Sequence, residues 1–175
     1  MMKRALLLVL LAALPLLVVF ADDELKTDPV GYAPAQPIAY SHKTHLALGL
    51  NCKGCHAMKP TEAGEGFAMG FPKEAFCMGC HSSVKKDSPE IAKLAKTAAD
   101  KKAVEWIRVY RLMPIVWFNH ASHTQEAKIE CATCHGDVAS MAVTAKARVL
   151  NMKDCMDCHA ERNAPNGCDF CHASQ

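Results

Sequence analysis

The sequence has few of the residues that normally build a hydrophobic core. Aromatic residues make up 6% of its 175 residues, and the apolar half of the chain includes ten cysteines and a very apolar N-terminus. A net charge of +2 gives no basic surplus for binding nucleic acid. So many cysteines also argue against an ordinary cytosolic enzyme. We therefore expect something other than side chains to fill the interior.

The N-terminus is typical of a targeting segment. Lys3 and Arg4 precede an apolar run at residues 5–21, and acidic residues 22–24 end it. A basic start, an apolar stretch and a small residue at Ala21 predict a secretory signal peptide, residues 1–21. The alternative is a retained N-terminal anchor, because the run is near the lower length limit of a spanning helix. Both alternatives predict that the rest of the chain is periplasmic.

All ten cysteines fall in Cys-x-x-Cys pairs, and histidine directly follows each pair. Disulfides or zinc sites also use paired cysteines, but neither requires histidine as the next residue. Two thiols at this spacing add to the two vinyl groups of one heme, and the next residue then lies under the iron. The sequence therefore predicts five covalently bound hemes c, attached through Cys52 and Cys55, Cys77 and Cys80, Cys131 and Cys134, Cys155 and Cys158, and Cys168 and Cys171, with His56, His81, His135, His159 and His172 as proximal iron ligands.

Five hemes leave too few residues in a chain of this length to enclose each cofactor. We therefore expect the hemes themselves to stack closely and to form the core. The predicted fold is mostly irregular, with short α-helices wrapped around the hemes and little or no β-sheet.

The four remaining histidines form two His-x-x-His pairs in similar contexts. His42 and His45 follow the residues P-I-A-Y-S, and His120 and His123 follow P-I-V-W-F-N. The pairs stand at matching distances before heme motifs, which indicates an internal duplication. Because histidines three apart lie on one side of a helical turn, each can reach a different iron. We predict that His42, His45, His120 and His123 are the distal ligands of hemes 1, 2, 3 and 4; the alternative is that they are solvated or hydrogen-bonded.

Four distal histidines cannot complete five irons, so heme 5 needs another ligand or keeps an open position. Met152 is the first candidate, because it precedes a heme motif in the unit that carries the extra heme, whereas the matching residue of the other unit is Glu74. Met141 is the second candidate, and Met58 and Met69 are weaker ones. All of them are also suited to packing against other groups. A thioether ligand would make heme 5 the high-potential end.

The duplication also predicts the domain organisation. Ser88 and Pro89 are typical of the start of a helix, and this helix would begin the connection between the two units. We predict a diheme unit at residues 22–87, a linker helix and extended segment at 88–113, and a triheme unit at 114–175.

The order of these motifs resembles the class III multiheme cytochromes c, and residues 118–172 resemble a triheme member of that class. A longer pattern, from Tyr32 to His172, resembles the pentaheme subunit of bacterial alternative complex III. The resemblance is carried by Y-A-P-A-Q-P-I-A-Y-S-H-K-T-H at 32–45, W-I-R-V-Y at 106–110, F-N-H-A-S-H at 118–123, C-H-G-D-V-A-S-M ending at Met141 and L-N-M-K-D-C around Met152. It implies a periplasmic cytochrome that takes electrons from a quinol-oxidising membrane complex and passes them to a soluble cytochrome or oxidase.

We expect an electron carrier rather than an enzyme, because all nine histidines are assigned to irons and none is left for proton transfer. The expected partners are a membrane respiratory complex and a soluble cytochrome or terminal reductase. Any membrane association would use residues 5–21 or a partner subunit. Two alternatives stay open, a multiheme reductase with one open iron and a subunit of an extracellular heme filament.

Overall fold

The computed structural model describes residues 28–61 and 66–172. The predicted targeting segment at residues 1–21 lies outside these ranges. The described residues form seven short α-helices, one π-helix, one 3-10 turn and one two-stranded sheet, joined by irregular segments. No helix among them has both the length and the apolar character needed to cross a membrane.

The first half of the chain contains two short helices, the sheet and a longer helix. The sheet is antiparallel, and Met58 lies opposite Met69 at one end and Pro60 opposite Phe67 at the other. In chain order the elements are α1 (His42–Leu46), α2 (Cys52–Cys55), β1 (Met58–Pro60), β2 (Phe67–Met69) and α3 (Glu74–His81).

Helix α4 (Pro89–Ala99) begins where Ser88 and Pro89 predict the start of a helix. Ser88 is its N-cap and Pro89 occupies the first turn, where proline's fixed backbone angle suits a helix start. The helix packs against α3, and Leu94 is its buried side chain. Lys96 and Asp100 form an exposed ion pair at 2.8 Å, which contributes only a few tenths of a kcal/mol.

The second half is built from short helices separated by loops. A capping box starts the longest of them, because the Asn151 side chain accepts from the Asp154 backbone while the Asp154 carboxylate accepts from the Asn151 backbone. The elements are a π-helix (Ser122–Glu126), α5 (Cys131–His135), the 3-10 turn (Val138–Ser140), α6 (Met152–Glu161) and α7 (Cys168–Cys171).

The chain has almost no core of its own. Among the described residues, Ile38, Leu94 and Ala121 are the buried apolar side chains, and no large side chain is fully buried. Large apolar side chains such as Leu48 and Phe170 are 75% and 58% exposed. Since globular chains of this size normally bury most of their large apolar residues, this surface suits a non-protein core. The fold is mostly irregular with one small sheet, and the fold prediction is confirmed.

Leu94→Ala tests the small protein core between α3 and α4. Truncating this buried side chain should lower the free energy of unfolding of the heme-loaded protein by about 3 kcal/mol, because it leaves a cavity. Guanidinium unfolding followed by circular dichroism measures the change. Lys96→Ala on the exposed face of the same helix is the control, and it should change stability by less than about 0.5 kcal/mol. Equal effects of the two substitutions would contradict the assigned core.

Candidate heme sites

Each Cys-x-x-Cys-His motif lies on a short helix. The two cysteines of a motif are three residues apart, so a helical turn puts both thiols on one side, with the histidine beside them. None of the ten cysteines, all of which lie in the described ranges, forms a disulfide. Each thiol pair is therefore free to form the two thioether bonds of a heme c. The five motifs occupy α2, α3, α5, α6 and α7, with His56 and His172 at the ends of α2 and α7.

The first His-x-x-His pair is held by the two residues that precede it. The Ser41 hydroxyl accepts a hydrogen bond from the Thr44 backbone and so caps α1. The ring of Tyr40 stacks on the ring of His45 at 4.4 Å and meets the ring of His42 edge-on at 4.9 Å. The Tyr40 ring therefore restricts the orientation of both imidazoles.

The second pair has the same support at the corresponding positions. The Asn119 side chain accepts from the Ala121 backbone, as Ser41 accepts from the turn after it in the first unit. Phe118 stacks on His123 at 4.4 Å and meets His120 edge-on at 4.8 Å. The duplication therefore extends from the histidines to the residues that orient them.

Three of the four histidines in these pairs face a motif histidine across a gap that fits one metal ion. Two metal–nitrogen bonds of about 2 Å each, together with the radius of each ring, put two imidazole centroids roughly 6 Å apart. The observed centroid distances are 6.2 Å for His42 and His56, 6.0 Å for His45 and His81, and 6.0 Å for His123 and His159. The side chains present therefore fit bis-histidine ligation of iron, in the pairing that the sequence predicts.

Backbone carbonyl groups fix the orientation of most of these rings. Because a carbonyl oxygen can only accept, the Nδ1 atom of each ring must carry the proton, which leaves Nε2 free to bind a metal. The Nδ1–O distances are 2.8 Å from His45 to Ser41, 2.9 Å from His56 to Gly70, 2.9 Å from His81 to Val84, 2.8 Å from His123 to Asn119 and 2.5 Å from His159 to Pro165.

The fourth distal candidate, His120, lies beside His135. Burial lowers the pKa of His120, and the neighbouring His135 lowers it further. Burial also lowers the pKa of His135, and the nearby His56 lowers the pKa of His135 further. The Nδ1 atom of His120 is buried without a hydrogen-bond partner among the described residues. Lowered pKa values favour the neutral form of both rings, which is the form that binds a metal.

The fifth motif is docked against the segment that leads into the second histidine pair. The Trp117 backbone donates to the Cys171 carbonyl at 2.8 Å, and Val116 and His172 form an isolated antiparallel bridge. The Nδ1 atom of His172 lies 3.3 Å from the Ile115 carbonyl oxygen. Since the four histidines outside the motifs lie against the first four motifs, none of them faces His172.

The methionine candidates for heme 5 lie in different places. Met152 is the first residue of α6, one turn before Cys155, and its side chain is 66% exposed. Met141 packs close to Gly136, beside the third motif. Met58 and Met69 lie opposite each other in the sheet.

The thiols show which motifs are neighbours. Burial is the largest cause that raises the pKa of Cys77, and the charge of Cys55 is the second. The first motif therefore lies beside the second. Burial raises the pKa of Cys131, and Cys52 raises it further by charge and by a hydrogen bond, which places the first motif beside the third. A cavity lined by both Lys53 and Cys131 lies at this second contact.

The thiols of the second half also show which motifs are neighbours. Burial raises the pKa of Cys134, and among the other influences Arg148 lowers it and Cys158 raises it. Burial, then Cys171, raises the pKa of Cys155. The third motif is therefore beside the fourth, and the fourth is beside the fifth. These influences link the second motif to the first, the first to the third, the third to the fourth and the fourth to the fifth, and we describe the motifs as a series in that order.

Known proteins share this combination of motifs. The family described as cytochrome c7 and related cytochrome c matches residues 38–103 and 116–173. The chain belongs to this family. It is therefore a multiheme cytochrome c of the electron-transport class, and its mostly irregular fold is that of the family. The chain is also 32% identical over 165 residues, covering 78% of it and 76% of the relative, to the menaquinone reductase multiheme cytochrome c subunit of Nitratidesulfovibrio vulgaris.

Several residues that shape the sites were missed in the sequence. Tyr40 and Phe118 precede the two pairs at equivalent positions, and so do Ser41 and Asn119. Aligning the two repeats beyond their histidines is the signal that would have found them. Tyr110 gave no such signal, although its ring meets the His135 ring edge-on at 4.7 Å.

Gly136→Ala tests the close packing next to the third motif. Gly136 has φ +71°, which only glycine adopts readily, and an added Cβ would lie 2.4 Å from the Cβ of Ala147. The substitution should lower the free energy of unfolding by about 3 kcal/mol, with heme lost first from the peptide that contains His135, as mass spectrometry of digests would show. Gly79→Ala is the control, because outside its own helix no atom of the described residues lies within 4 Å of its added Cβ. Equal heme content and stability in both variants would contradict this account.

Proposed function

We propose that the protein is a periplasmic pentaheme c-type cytochrome that carries electrons between a quinol-oxidising membrane complex and a soluble acceptor. The facing imidazole pairs, with centroids 6.0–6.2 Å apart, carry this proposal. Two histidines on one iron leave no coordination position for a substrate, as suits a carrier. When bound, heme c supplies a reversible one-electron couple.

The chain's own contribution is to hold the imidazoles in fixed positions. The carbonyl groups of Ser41 and Asn119 each accept the Nδ1 proton of the second histidine in a pair. Tyr40 and Phe118 restrict the rotation of the same rings by stacking. Ligands that are fixed in advance need little rearrangement when the charge at the iron changes, which favours fast electron transfer.

The count of five hemes and the proposed ligand set follow from the motifs. Each of the five motifs has its own thiol pair and histidine. We assign His42, His45, His120 and His123 as distal ligands of the first four hemes, and Met152 as that of the fifth. Met152 is supported by its place one turn before Cys155, the thiol whose pKa is raised by burial and by Cys171 of the fifth motif.

The proposed partners are quinone-linked respiratory proteins. The relative in Nitratidesulfovibrio vulgaris is named as a subunit of a menaquinone reductase, a name that denotes reduction of quinone. The resemblance to the alternative complex III subunit implies a partner that oxidises quinol, and our proposal follows this second direction. The predicted signal at residues 1–21 supports a periplasmic location.

Because the motifs form a series with His81 near one end and His172 at the other, we propose that donor and acceptor dock at different ends. The units at residues 22–87 and 114–175, joined by 88–113, are proposed as the two halves of this series.

A reductase is the second candidate, and the position of His172 favours it. An open fifth iron would offer a substrate site, because no imidazole is placed opposite His172. The two functions differ in the oxidised protein, since an open iron gives a high-spin electron paramagnetic resonance signal and a fully ligated set does not.

His45→Ala tests the histidine ligation. Losing this distal ligand should convert one of five hemes to a high-spin form, while the covalent heme content stays at five. Electron paramagnetic resonance and a heme assay measure the two quantities. Lys43→Ala, on the same helix but exposed, is the control and should leave every heme low-spin. Five low-spin hemes in His45→Ala would refute the ligand scheme.

Met152→Ala tests the fifth ligand. The unmodified protein should show one methionine-to-iron charge-transfer band in the near infrared, and this substitution should abolish it and lower the potential of one heme. Met156→Ala, in the same helix, should keep the band. If the band survives in Met152→Ala, another methionine is the ligand; a protein with one high-spin heme and no band would favour the reductase.

A further inference from the structure

Lys146 is the one buried charged side chain among residues 28–61 and 66–172, with 5% of its surface exposed. Its ammonium donates to the Asp28 backbone carbonyl at 2.9 Å and lies 5.7 Å from the centre of the Tyr110 ring. Neither group carries a full negative charge, and no carboxylate in those ranges forms an ion pair with it. A buried ammonium without an anion is strongly unfavourable, so the site points to an anionic group that residues 28–61 and 66–172 do not provide there.

The backbone around Lys146 keeps the side chain in place. The Gly31 backbone donates to the Lys146 carbonyl at 2.8 Å, and the Lys146 backbone donates to the Tyr32 carbonyl at 2.8 Å. These two bonds pair the lysine with a segment more than a hundred residues earlier in the chain. Lys146 is therefore part of the fold and not a surface side chain that has folded inward.

The same segment is packed on the third heme motif. The Tyr110 hydroxyl accepts from the Ala147 backbone at 2.8 Å, and the Tyr110 ring meets the His135 ring at 4.7 Å. Ala147 also lies so close to Gly136 that a Cβ there would be 2.4 Å away. Lys146 is thus one aromatic ring away from the proposed proximal ligand of heme 3.

This inference rests on the proposed function. We propose that Lys146 is the ionic partner of a propionate of the heme bound at Cys131, Cys134 and His135, and that its charge raises the reduction potential of that heme. A heme c carries two propionates, which are anions of the kind the site lacks. A buried positive charge stabilises the reduced iron, because reduction removes one positive charge nearby.

The experiment compares Lys146→Met with Lys146→Arg in the heme-loaded protein. Potentiometric titration with optical and electron paramagnetic resonance detection measures each heme. Lys146→Met should reduce the equilibrium constant for reduction of one heme about tenfold, a shift of about 59 mV downward. Lys146→Arg should leave that potential nearly unchanged because the charge remains. Lys96→Met, an exposed lysine of α4, is the control and should change none.

The outcomes separate this inference from the proposed function. A heme count other than five, or open irons in the unmodified protein, would refute the proposed function. Five ligated hemes with unchanged potentials in Lys146→Met would refute only the role of Lys146, as would equal shifts in the Met and Arg variants. If Lys146→Met does not retain its hemes, Lys146→Gln takes its place, since it removes the charge and keeps a polar group, and the same criteria apply.

A final measurement identifies the anion. Redox-difference infrared spectra of protein carrying hemes with ¹³C-labelled propionates should show a labelled carboxylate band that moves in Lys146→Met and not in Lys146→Arg. A band that moves but is insensitive to the label would mean that a carboxylate of the chain is the partner, and the proposal would be wrong.

Discussion

Pairs of imidazoles that face each other across the width of one metal ion are the interaction on which the rest of the structure depends. His123 and His159 are far apart in sequence, yet their ring centroids are 6.0 Å apart. In a chain with three buried apolar side chains among its described residues, such pairs replace the side-chain packing that fixes tertiary structure elsewhere. Two histidines that bind one iron form a redox site and also a contact between distant parts of the chain. The free energy of iron binding therefore contributes to the free energy of folding.

The two repeats hold each other's proposed distal ligands in place. His42 of the first unit has its Nδ1 atom 2.8 Å from the Thr144 hydroxyl of the second. In return, the Phe67 backbone of the first unit donates to the Asn119 side chain that caps the second pair. The contacts are reciprocal, although the residues are not equivalent in the repeats. The duplication visible in the sequence therefore does not give two independent modules, because each unit completes the other's site.

The sequence revealed the local features and missed the long-range ones. The heme motifs, the histidine pairs and the helix that begins at Pro89 were predictable, because each depends on residues within a few positions of one another. The irregular fold followed from the thin core. The order of the motifs and the burial of Lys146 were not predictable, since they depend on contacts such as that from Lys146 to Asp28, which are 118 residues apart. Tyr40 and Phe118 were only partly predictable. They stand at equivalent positions of the two repeats, but one is a tyrosine and the other a phenylalanine.

The position of Lys146 bears on the direction of electron flow. The third motif is in the middle of the series and the fifth is at its end. Both proposed devices, a buried ammonium beside the third motif and a thioether at the fifth, raise the potential relative to a plain bis-histidine heme. Neither of these two proposed devices lies at the second motif, where Nδ1 of His81 donates to the Val84 carbonyl. Electrons move toward higher potential, so with both of these proposals the His81 end would be the entry and the His172 end the exit. The donor would then bind near α3, and the acceptor near α7.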